Sequence, residues 1–84
     1  MAVKLLYFAS LREALGMPGE SVDLPDGVGS AAALRDLLVA RGDQWESLAT
    51  VRNLRVAINQ RMVTLDAAVK DGDEIAFFPP VTGG

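Results

Sequence analysis

The chemistry in this chain gathers at one end. The run Asp71-Gly-Asp-Glu-Ile-Ala-Phe-Phe-Pro-Pro-Val-Thr-Gly-Gly84 reads as a turn, a short strand, a stop and a tail. Asp71-Gly72 is a turn dipeptide, and Ile75 to Phe78 is an apolar run of strand type. Pro79 and Pro80 have no N–H to give to a sheet ladder, so the strand ends there. Residues 80–84 then offer no cap, charge or apolar pattern to fold on. Glycine lacks a Cβ, so a tail closing on Gly83 and Gly84 can thread a narrow channel and adopt backbone angles closed to other residues. Fully extended, residues 80–84 reach about 17 Å. Two glycines at the end would arise by chance in about one chain in 200; a frayed terminus is the bland alternative. After a strand and a Pro-Pro stop, the expectation is that the carboxylate of Gly84 is the working group.

Composition narrows what else the chain can do. Eighty-four residues make one domain with a modest core, and 50% hydrophobic content is ample to fold it. A net charge of −3 argues against nucleic acid and against anionic lipid. The sequence contains neither cysteine nor histidine. The usual zinc and iron ligands and the common nucleophile–base pairs are therefore missing. Any group-transfer chemistry needs a reactive atom added to the chain. No stretch has the pattern of a secretory signal or the length of a membrane span, and the expected compartment is the cytoplasm.

The elements that must position the tail follow from periodicity. Val3 to Phe8 is a first strand with both faces largely apolar. Ser10 to Glu13 fits a capping box opening a short helix that Gly16 ends. Ser21 to Leu24 alternates as an edge strand beside the first. Ser30 caps the main helix, which runs to Arg41 with Gly42 at its end. Its apolar stripe is Ala31, Leu34, Leu37, Leu38 and the stem of Arg41. Trp45 and Leu48 anchor a further turn. Leu54 to Asn59 is a third strand, Asn59-Gln60-Arg61 a hairpin turn, and Met62 to Leu65 the return strand. The economical solution is an α+β fold in which a mixed sheet is crossed by one main helix. Val3, Leu5, Tyr7, Val56, Ile58, Ile75 and Phe77 should meet that helix. Alternation then sends Leu6, Phe8, Ala76 and Phe78 to the opposite face, where only short segments remain to cover them. An uncovered apolar face marks a partner surface. The competing expectation is that the Ser10 helix or the Trp45 turn covers it. Asp71, Asp73 and Glu74 lack the spacing of a calcium loop and read as a solvated turn.

Taken whole, the chain resembles the small subunits of molybdopterin synthase, ubiquitin-like sulfur carriers with a β-grasp fold. The resemblance rests on the first strand leading into Phe8-Ala9-x-x-Arg12-Glu13, on Asn59-Gln60, and above all on residues 71–84. It implies a β-grasp domain over residues 1–79 and a sulfur-carrying tail over residues 80–84. A ubiquitin-activating-like adenylyltransferase would use ATP to adenylylate Gly84, and sulfur from a persulfide donor would replace AMP to leave a thiocarboxylate. The tail would enter the large catalytic subunit and give its sulfur to a cyclic pyranopterin precursor, two donations completing the molybdopterin dithiolene. A heterotetramer with that subunit is the expected assembly, and the carrier itself binds no cofactor. Gly83 would keep the approach slim, Val81 and Thr82 would lie along the channel, and Phe8, Arg12, Met62, Phe78 and Pro80 would meet partners. A sulfur carrier for thiamine thiazole formation, a protein modifier joined to lysines through Gly84, and a plain binding module are the alternatives.

Overall fold

The computed structural model describes residues 2–80. Five strands form one mixed sheet in the order β2-β1-β5-β3-β4. They are β1 (Ala2–Tyr7), β2 (Gly19–Asp23), β3 (Arg55–Ile58), β4 (Arg61–Val63) and β5 (Glu74–Phe78). The apolar run of β5 holds the central place, parallel to β1 and antiparallel to β3. β2 pairs antiparallel with β1 and forms one edge, as its polar alternation requires.

The helices are α1 (Ala9–Leu15), α2 (Ala31–Val39) and α3 (Ser47–Thr50), with a 3-10 turn at Asp43–Glu46 before α3. The Ser30 hydroxyl accepts from the Ala33 N–H at 3.1 Å, which is the expected cap of the main helix. That helix ends at Val39, two residues short of the expected Arg41. Ser10 does not cap α1. Phe8 is still extended there, its N–H donating to the Phe77 carbonyl, so the chain turns off the sheet at Ala9 (φ 54°). The Phe8 carbonyl then accepts from Leu11 and Arg12, and Ser10 lies inside the helix. Gly19, expected in a turn, is the first residue of β2, where the Pro18 carbonyl already accepts from Tyr7. A Cβ at Gly19 would sit 2.3 Å from the Leu5 carbonyl oxygen, so only glycine permits this close approach of β2 to β1.

All the helices lie over one face. Val3, Leu5, Tyr7, Val56, Ile75 and Phe77 from the sheet are buried in one cluster with Leu11 and Leu15 of α1, Ala31, Leu34 and Leu38 of α2, Trp45 and Leu48. Ile58 and Leu37 pack at its margin. Trp45 is therefore a packing residue: its ring meets Tyr7 edge-on at 5.8 Å, and the Arg41 guanidinium stacks over it at 4.4 Å. Arg41 is held by both carboxylate oxygens of Glu20, at 2.8 and 3.2 Å, and Tyr7 donates its hydroxyl to Glu20 at 3.1 Å. Burial, then the neighbouring Glu20 charge, pushes the Tyr7 hydroxyl above the usual phenol range. The hydrogen bonds to Glu20 hold the Arg41 guanidinium more firmly protonated than usual.

The hairpin between β3 and β4 has a two-residue loop, Asn59-Gln60, because Ile58 pairs with Arg61. Both loop residues have positive φ, 51° and 70°, as a twisted two-residue hairpin needs. Arg61, expected in the turn, is therefore already strand. The loop is tied to the start of β5 by a residue that sequence reasoning placed in solvent. Asp73 is only 6% exposed. Its carboxylate accepts from the Asn59 side-chain amide and from the Lys70 N–H, each at 3.0 Å, while the Asn59 oxygen accepts from the Glu74 N–H. The solvated-turn expectation thus holds for Asp71, which is exposed, but fails for Asp73, which braces two turns. Asp73→Ala leaves two donors unpaired and is expected to cost about 2–3 kcal/mol. A thermal melt within 1 °C of the parent would show that the brace carries no stability.

Candidate partner-docking face

Among the described residues, every helix lies on one side of the sheet and no element covers the opposite face. The competing expectation, that α1 or the Trp45 turn covers it, is overturned. Leu11, Leu15, Trp45 and Leu48 all point into the core, because that side offers the larger apolar stripe to bury.

Pairing register lays out the bare face in rows. Leu6 is opposite Ala76, Ala76 opposite Ala57, and Ala57 opposite Met62, so one apolar row crosses four strands. Phe78 stands one step nearer the tail, opposite Arg55. Leu6, Phe8, Ala57, Ala76, Phe78 and Pro79 line an open concavity of about 490 Å³, with Ala9 and the polar rim of Gln60 and Glu74. Small alanines on the two inner strands and bulky side chains around them are what makes the surface concave. Phe8 is 46% exposed and Met62 60% exposed, large values for apolar side chains in a domain that buries Tyr7, Trp45 and Phe77.

Of the residues singled out from the sequence, Phe8 and Phe78 meet in the concavity, as alternation required. Met62 reaches the same face from the edge strand, outside the lining. Arg12 is exposed on α1 and does not line it. Pro80 follows β5 and is half-buried. Val81, Thr82, Gly83 and Gly84 lie outside the described residues. Ala57 and Pro79 were missed, although the period of two in β3 and the Pro-Pro stop signalled both. Among the described residues, no cluster of three or more Asp and Glu could hold a metal ion, and no helix is long and apolar enough to cross a membrane.

A five-stranded mixed sheet gripping helices on one face, with β1 and β5 parallel at its centre, defines the ubiquitin-like β-grasp class. Within that class, the chain belongs to the ThiS family, whose model matches residues 5–84. It is 46% identical over 82 residues to the molybdopterin synthase sulfur carrier subunit of Haemophilus influenzae, across 98% of this chain and 99% of that protein. Among solved structures it is similar to SAMP1, small archaeal modifier protein 1, from Haloferax volcanii, with a TM-score of 0.77 and 31% identity over the whole of both chains. It also shares its fold with a chain from the complex of subunits 1 and 2 of molybdopterin-converting factor from Helicobacter pylori, with a TM-score of 0.67, 24% identity and full coverage of both chains.

Proposed function

We propose that this chain is the sulfur carrier subunit of a molybdopterin synthase. The observation that carries the reading is the pairing of two features on one strand. β5 presents Ala76 and Phe78 to an uncovered apolar face, and the same strand runs through Pro79-Pro80 into the glycine-ended tail. A partner seated on the face would receive the tail. The 46% identity to a carrier of that name supports the choice of pathway.

The chemistry is consistent with a chain that has no acid, base or nucleophile suited to the task. A carboxylate becomes electrophilic once its oxygen is a good leaving group, and an adenylyltransferase using ATP makes the Gly84 carboxylate an acyl-adenylate. The outer sulfur of a persulfide donor attacks the acyl-adenylate and expels AMP, leaving an acyl disulfide whose S–S bond a second thiol cleaves, so that a disulfide remains on the donor side. The resulting thiocarboxylate is ionised at neutral pH and nucleophilic, as low-pKa sulfur anions are. The large subunit accepts the tail and supplies the groups that bind the cyclic pyranopterin precursor and move protons. Phe8, Met62, Phe78 and Pro80 dock, Arg12 contacts partners from α1, outside the concavity, and Gly83, Thr82 and Val81 pass through the channel. The setting is the cytoplasm, where ATP and the activating enzyme are at hand.

Intact-mass spectrometry tests this directly. After incubation with the activating enzyme, ATP and a persulfide donor, the chain should gain the mass difference between sulfur and oxygen, localised to Gly84. An unchanged mass with a demonstrably active activating system would reject the carrier reading. The likeness to SAMP1 favours a second reading, conjugation of Gly84 to lysines of other proteins. Higher-mass adducts in cell extracts that vanish when Gly84 is deleted would support it.

A further inference from the structure

We infer that the partner covering the bare face places a carboxylate against Arg55, beside the point where β5 releases the tail. The inference rests on the reading above and adds the charge that the partner must carry.

Two cations sit on this face in the strands, and their surroundings differ. Lys4 shares the face with Leu6 and lies directly opposite Glu74, so the register itself sets an opposite charge beside it. Arg55 shares the face of Ala57 and lies directly opposite Phe78, an apolar residue of the concavity. Arg55 is exposed, and the ion pairs among the described residues are Arg35–Asp36 and Arg41–Glu20. It is the first residue of β3, paired with the central strand through Phe78 and one step beyond the last pair with β4, Val56 with Val63. A partner that covers Phe78 comes up against Arg55, its cross-strand neighbour, and must take water from its guanidinium. Burying a charge without a counter-charge is costly, so a stable complex needs an acid there. Arginine suits such a place, because its planar fork takes a carboxylate through two hydrogen bonds. The pairing also gives orientation: an acid that meets Arg55 sets the partner's entrance at the tail end of β5 instead of the Glu74 end.

The test uses the full chain and the purified large subunit of molybdopterin synthase from the same organism, with Kd measured across a range of salt concentrations. Arg55→Leu keeps the stem's bulk and leaves the partner's acid unpaired, so binding should weaken about 30-fold or more. Arg55→Glu should weaken it further. The salt dependence of Kd should flatten in Arg55→Leu, and thermal melts of both variants should match the parent, since Arg55 is exposed. Binding of Arg55→Leu within twofold of the parent, or tighter, overturns the inference. A parent chain that fails to bind the large subunit at all defeats the carrier reading instead.

Discussion

A chain lacking Gly83 and Gly84 is expected to fold normally and to lose nearly all molybdopterin formation. The core runs from Val3 to Phe77, so its thermal melt should match that of the full chain. The new terminus, Thr82, still ends in a carboxylate, but it stops about 7 Å short of the old one. Misplacing a reacting atom by 1 Å can cost about 100-fold in rate. In the proposed chemistry the activating enzyme must also reach the carboxylate, so two successive steps should fail. Product formation with the large subunit should fall by at least about 1,000-fold. Adding a bulky residue after Gly84 should have the same result unless it is trimmed away. Substantial product from either variant, with the intact mass confirming the altered end, would separate the tail from the chemistry.

Phe77→Ala and Phe78→Asp fail in opposite ways although the two residues are adjacent. Phe77 is 0% exposed at the centre of the helix-covered face. Its truncation should cost about 3–5 kcal/mol, the range for buried aromatics. In a domain of this size each kcal/mol moves the melting temperature by about 4–8 °C, so the midpoint should drop by more than about 12 °C. Because marginal domains hold only about 5–15 kcal/mol in total, part of the population would be unfolded at working temperature. Phe78 points the other way, into the concavity. Phe78→Asp should leave the melt within a few degrees and weaken binding of the large subunit by about 30-fold or more, as loss of an interface anchor does. A severe loss of stability in Phe78→Asp would mean that its face is part of the core. Unchanged binding by a folded Phe78→Asp chain would move the docking site elsewhere.

These two neighbours also mark how much could be read in advance. Strand alternation has a period of two, and that period alone sorts Val3, Leu5, Tyr7, Ile75 and Phe77 from Leu6, Phe8, Ala76 and Phe78. Both faces could be assigned without knowing which strand lies beside which. A tail suited to carrying a group could be proposed as well, since glycine steric freedom and a proline stop are properties of the residues themselves. The main helix was legible for the same reason, through its Ser30 cap and its apolar stripe.

Other features depended on contacts distant in sequence. Nothing local shows that β5 lies between β1 and β3, and that order is what aligns Leu6, Ala76, Ala57 and Met62 in one row and sets Arg55 against Phe78. Asp73 looks like a turn acid until the β3–β4 loop is brought beside it, when Asn59 and the Lys70 N–H give its charge partners that water would otherwise supply. Ser10 has the side chain of a cap, but the sheet holds Phe8 extended and moves the helix start past it. The sequence by itself determined which residues are apolar on which side and which terminus can carry a group. Tertiary structure decided which strands are neighbours, because hydrogen-bonded pairing joins residues that local propensity cannot relate, and so it decided where charge and concavity meet on the face opposite the helices.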